Sequence, residues 1–75
     1  MLSSQLTEAL GKLEKTGLPH RTLMRRLRLN RSTLYNWRRG TRSPMRSTLL
    51  VVANGLREYA REMDALADEF QRLTD

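Results

Sequence analysis

Between His20 and Arg46 the chain carries nine arginines, namely Arg21, Arg25, Arg26, Arg28, Arg31, Arg38, Arg39, Arg42 and Arg46, and no acidic residue. A planar guanidinium fork suits phosphate oxygens and the O6/N7 edge of guanine better than a lysine ammonium does. Asn30 and Asn36 stand in the same stretch, and a carboxamide can pair with N6 and N7 of adenine. The chemistry on offer is recognition of a nucleic acid. Catalysis fits poorly, because the chain has one histidine, no cysteine, and no carboxylate in this central segment to act as acid, base or metal ligand. The expectation is a protein that is not an enzyme and uses no metal, cofactor or small-molecule ligand.

The formal net charge of the 75 residues is +6, and it is unevenly spread. Residues 1–19 balance Lys12 and Lys15 against Glu8 and Glu14. Residues 47–75 reverse the sign, with Arg57, Arg61 and Arg72 against Glu58, Glu62, Asp64, Asp68, Glu69 and Asp75. A protein that is merely soluble intersperses its charges, so a basic block followed by an acidic one divides the labour along the chain. A chain this short lies near the lower limit for a self-sufficient core, and a second copy offers further apolar surface. The lack of cysteine fits a reducing cytoplasm. The longest apolar run, residues 49–53, cannot span a bilayer, and residues 1–18 lack the apolar centre of a signal peptide. A soluble cytoplasmic protein without a membrane partner is expected.

The elements that must hold these residues read as helices throughout. No two-residue alternation is sustained, and glycine and proline fall mainly at element ends. Leu6, Ala9, Leu10 and Leu13 recur at helical spacing, which predicts a first helix over about 4–15, stopped by Gly17. Pro19 as first helical residue opens a second helix to about Arg28, with Leu23 and Leu27 inward and Met24 beside them. Asn30 caps a third helix, 31–39, which Gly40 ends. Leu34 and Trp37 form its buried side; being in phase with Leu34, Trp37 reads as core rather than as a stacking platform. Ser43-Pro44 marks the start of a long last helix. Two short helices joined by three or four residues cross steeply, which is the helix-turn-helix arrangement, here centred on residues 20–39.

From Leu18 to Pro44, and more loosely to Leu56, the sequence resembles the Cro/CI (XRE-like) family of phage and bacterial repressors. Leu18, Leu23, Leu27, Leu29, Leu34, Trp37, Gly40 and Pro44 carry the likeness, and residues 30–40 look like that family's recognition helix with its closing glycine. Three positions depart from the family pattern: Met24 replaces a small residue, Arg28 stands where the turn usually has glycine, and Arg38 replaces a common acid. The resemblance implies that Arg31, Ser32 and Asn36 occupy base-reading positions and that His20 meets a phosphate. With Leu34 and Trp37 facing inward, Arg31, Ser32, Tyr35, Asn36 and Arg39 are left facing out toward bases. Phosphate contacts are expected from His20, Arg21, Asn30, Arg38, Thr41, Arg42 and Arg46, with free N–H groups at the starts of the second and third helices.

In the last helix Leu49, Val52, Leu56, Tyr59, Met63, Leu66, Phe70 and Leu73 are spaced alternately three and four residues apart. That is a heptad seam. Ala53, Ala60 and Ala67 run beside it and would let two helices approach closely. The expectation is an all-α fold of four helices: a DNA-binding domain over 1–56 and a dimerising, coiled-coil-like extension over 57–75, continuous with helix 44–56. Leu56, Tyr59, Ala60, Met63, Leu66, Ala67, Phe70 and Leu73 are its expected contacts. Heptad phase across Asn54-Gly55 predicts one uninterrupted helix. The implied function is a dimeric repressor of an inverted-repeat operator on double-stranded DNA, of phage or mobile-element type and possibly autoregulatory. The alternatives are an antitoxin-like interaction module with secondary DNA binding, and an arginine-rich RNA binder.

Overall fold

A computed structural model describes residues 2–74, with side chains from residue 4 onward. Four helices follow one another: α1, Leu2–Lys15; α2, His20–Arg26; α3, Arg31–Arg39; and α4, Arg46–Arg72. The described residues contain no strand. None of these helices is long and apolar enough to cross a membrane.

Helix starts and stops follow local chemistry, with three departures from expectation. First, α1 begins at Leu2, before the expected Ser4. Second, α2 is shorter at both ends. Pro19 is its N-cap, at φ −57° and ψ 133°, rather than its first helical residue. At the other end the Leu29 N–H donates to the Met24 carbonyl (3.0 Å) and Arg28 N–H to Arg25 O (3.4 Å). This paired closure turns the chain through a left-handed residue, a position where glycine is common. Here it is Arg28, at φ 54°. Third, α4 begins at Arg46 with Met45 as N-cap, two residues after the proline.

The end of α3 has the same closure with the usual residue. Thr41 N–H donates to Asn36 O (3.1 Å), Gly40 N–H to Trp37 O (3.2 Å), and Gly40 lies at φ 74°. At its start the Asn30 side chain accepts from the Thr33 N–H at 2.8 Å. Substituting such a cap by alanine typically costs about 1 kcal/mol.

The core is small and contains one or two residues from each of the first three helices. Leu10, Leu34 and Trp37 cluster, with Leu6, Met24, Leu29 and Val52 against them. Leu23 and Leu27 are also buried, and Leu27, at 1 % exposed, is the most enclosed of the core residues. α1 packs on α3, and α2 packs on α4. The second contact is so close that a Cβ at Gly55 would stand 2.9 Å from the Arg26 carbonyl oxygen and 3.0 Å from Leu27 Cδ2. Gly55 therefore admits the end of α2 rather than breaking α4, which runs on through Asn54-Gly55 as one helix.

At 27 residues and about 1.5 Å per residue, α4 is roughly 40 Å long. It accounts for the 52 Å long axis of the molecule against 23 and 22 Å across. Its proximal apolar residues Leu49, Val52, Ala53 and Leu56 are half-buried, as is Tyr59, whereas every residue from 60 to 72 is exposed.

Candidate nucleic-acid interface

At 100° per residue, Leu34 and Trp37 fix the inward direction of α3, and the outward direction falls between Ser32 and Arg39. Tyr35 lies on one shoulder of that face and Asn36 on the other. Arg31 and Arg38 share the flank toward α2 and α1. Observed burial follows this wheel: Leu34 and Trp37 are each 6 % exposed, Arg31, Ser32, Tyr35, Arg38 and Arg39 are exposed, and Asn36 is half-buried.

Several of these side chains are held in place. The Arg39 Nη1 donates to the Tyr35 hydroxyl at 2.7 Å, one helical turn away, and its guanidinium lies 5.4 Å from the ring centroid. The Thr41 hydroxyl donates to the Asn36 backbone carbonyl (3.2 Å) and side-chain oxygen (3.3 Å). That oxygen keeps a second lone pair, so the carboxamide can still accept and donate outward. Asn30 Oδ1 is fully engaged, accepting from the Thr33 N–H, the Thr33 hydroxyl and the Ser32 hydroxyl, each at 2.8 Å. Only the amide NH₂ of Asn30 is left to reach an anion. Ser32, expected to read a base, has its hydroxyl turned back onto the cap.

Two shallow concavities flank the α3 face. His20, Arg21, Asn30 and Arg31 line one, between the starts of α2 and α3, over a floor of Met24 and Leu29. The other joins Asn30, Ser32 and Asn36 to Arg42, Ser43 and Met45 in the α3–α4 connection, with Arg28 at its edge. Neither is lined by an acidic residue. The fold thus gathers His20, Arg21, Asn30, Arg31, Asn36, Thr41 and Arg42 around one helix. Arg46, at the start of α4, is exposed nearby in sequence.

Two arginines of the basic block are engaged elsewhere. Arg38, expected on a phosphate, is ion-paired with Glu14 of α1. Arg26 grips both carboxylate oxygens of Glu62 on α4. Donation to Glu62 raises Arg26 above the usual guanidinium range, and the same bond holds Glu62 below the usual carboxylate range. Arg26 also lies 5.2 Å from the centroid of the Tyr59 ring. Tyr59, expected to face a partner, is half-buried and carries Arg26 of its own chain over its ring, and Leu56 is half-buried too. No sequence signal points to the Arg26–Glu62–Tyr59 group, in which Tyr59 and Glu62 lie 33 and 36 positions from Arg26.

The rest of the expected dimer contacts, Ala60, Met63, Leu66, Ala67, Phe70 and Leu73, stand exposed. Met63 and Leu66 are 43 % and 42 % exposed, Phe70 64 % and Leu73 80 %. Among the described residues no group of three or more histidines and acids could hold a metal ion. Comparison with known proteins finds no matching family model, no similar curated protein and no similar solved structure.

Proposed function

We propose that the protein is a sequence-specific regulator that binds double-stranded DNA as a homodimer, with α2 and α3 acting as a helix-turn-helix. One observation carries this reading. The face of α3 opposite Leu34 and Trp37 bears exposed Tyr35 and Arg39 with half-buried Asn36 at its shoulder, between concavities lined by cations and amides without any acid. A major groove admits one α-helix, and a helix so edged meets bases with its outward side and phosphates with its flanks. Arg31 and Arg39 suit guanine, Asn36 suits adenine, and His20, Arg21, Arg42 and Arg46 suit the two backbones. A dimer would double these contacts and select an inverted repeat. Bound at a promoter in the bacterial cytoplasm or nucleoid, it would exclude polymerase, which makes it a repressor.

The test is binding to duplex DNA from upstream of its own gene, with random duplex and structured RNA as competitors at stated salt. Arg31→Ala and Asn36→Ala should each lose about 1–3 kcal/mol on the preferred site and little on random DNA. Arg42→Ala should weaken binding to all sequences and lower the salt slope by about 1. Equal losses on preferred and random DNA for all three, or tighter binding to RNA, would remove this reading.

A further inference from the structure

Resting on the dimer just proposed, we infer that the second copy pairs antiparallel along the apolar stripe of α4, with Arg26 of each head shared between its own Glu62 and Glu69 of the other copy. The stripe runs through Leu56, Tyr59, Met63, Leu66, Phe70 and Leu73. One border is alanine, at 53, 60 and 67; the other carries Gly55, Glu62 and Glu69. In a parallel in-register pair unlike borders meet. Glu62 and Glu69 would then face Ala67 and Thr74, and no charge would be matched. In an antiparallel pair like borders meet. Alanine against alanine lets the helices approach closely, and the remaining border sets glutamate against glutamate.

That second juxtaposition repels unless a cation stands between, and Arg26 is already there. It reaches α4 from the head on the glutamate border, bonded to both oxygens of Glu62 and lying over Tyr59. A guanidinium has five donors, so two bonds to Glu62 leave others for a second carboxylate. Glu69 makes no ion pair within its own chain among the described residues. Setting Leu56 opposite Leu73, Tyr59 opposite Phe70 and Met63 opposite Leu66 covers all six apolar positions. It also brings Glu69 of the other copy within about two residues of the level of Glu62, roughly 3 Å along the axis. The cost is Asp64, which approaches its own copy near the twofold axis; both carboxylates are exposed to solvent.

The arrangement also separates two strongly basic heads. Positions 56 of the two copies lie 17 residues apart along the paired helices, roughly 26 Å, with each head at its own end. The half-sites of an operator of the usual kind are about 34–36 Å apart, a distance that heads at opposite ends can span.

The chain has no native cysteine, so disulfide trapping reads the pairing directly. Full-length Ala60→Cys and Ala67→Cys proteins are mixed, mildly oxidised and mapped by mass spectrometry. The 60–67 disulfide should dominate over 60–60 and 67–67, and Leu73→Cys should not link to itself. Glu69→Arg should weaken dimerisation at least about fivefold by sedimentation, since it faces Arg26. Self-linking of Leu73→Cys, an unaltered dimer in Glu69→Arg, or a wild-type monomer throughout the concentration range would each overturn the proposal. Duplex binding by the linked dimer is read separately. A 60–67 disulfide in a protein without affinity for DNA keeps the antiparallel pair and removes the regulator.

Discussion

In α3 the two large apolar residues, Leu34 and Trp37, are each 6 % exposed, and the arginines are exposed to solvent. In the distal half of α4, Met63, Leu66, Phe70 and Leu73 are exposed by 42–80 %, although they are equally regular in spacing. The residue types are alike; what differs is how much of the chain is at hand to cover them. α1, α2 and α3 have 14, 7 and 9 residues, so the longest reaches only about 21 Å. Such a bundle can shelter the proximal half of a 40 Å helix and no more. A periodic stripe therefore has two meanings in one protein: beside the bundle it is core, and beyond it the stripe lies open on the surface.

Substitution in the two regions should break that symmetry most clearly. Leu27→Ala removes the most enclosed side chain and should cost about 2–5 kcal/mol in urea unfolding. A loss well under 1 kcal/mol would mean the head is not packed as described. Leu66→Asp, by contrast, should leave the head folded and abolish dimerisation by sedimentation. An unchanged dimer would show that the exposed stripe is not the contact.

The boundary between the regions can be sharpened at Gly55. Alanine there improves helix propensity by about 1 kcal/mol, yet its Cβ would press on the Arg26 carbonyl and Leu27. Overpacking of this kind costs about 1–3 kcal/mol, so Gly55→Ala should be less stable or, at best, neutral by thermal unfolding. A clear gain in stability would place α4 farther from α2.

The smallest effect is expected at Glu62. Its carboxyl is held below the usual range by the hydrogen bond from Arg26. The folded value is the lower one, so the pair's contribution is complete above the unfolded carboxylate value. It is lost as pH falls through the folded one. Both partners are open to solvent, with side chains 38 % and 49 % exposed, which keeps the contribution small. Glu62→Gln should thus be slightly less stable at neutral pH and flatter on the acid limb. An acid limb identical to wild type would leave the ion pair without energetic weight.

Where an element depended on its own few residues, it was legible in advance. Asn30 and Gly40 bound α3 at Arg31 and Arg39, because capping is a contact between near neighbours. Arg28 was readable as a residue standing in glycine's place, and it does adopt a positive φ. The local signals make α2 too long at both ends. Pro19 could serve equally as a cap or as a first residue, and the closure at Arg28 is decided by which carbonyl Leu29 reaches. Among the candidate interface residues, Arg31, Tyr35 and Arg39 followed from the helical wheel. Ser32 faces outward as the wheel requires, but its hydroxyl's bond to Asn30 and the Arg38 ion pair with Glu14 were not legible, because they depend on rotamers and on a helix 24 positions away.

By itself the order of residues determined that the chain is helical, that its arginines gather in one central segment, and that a seam of period seven runs along the last helix. These are properties of periodicity and composition, and they need no partner. Tertiary structure alone decided which half of the seam is sheltered, that Gly55 marks the close approach of α2 to α4, and that Arg26, Tyr59 and Glu62 form one group. Each of these depends on distances between segments far apart in the chain. Such distances are set by the burial of a few leucines and one tryptophan, and no local pattern carries them.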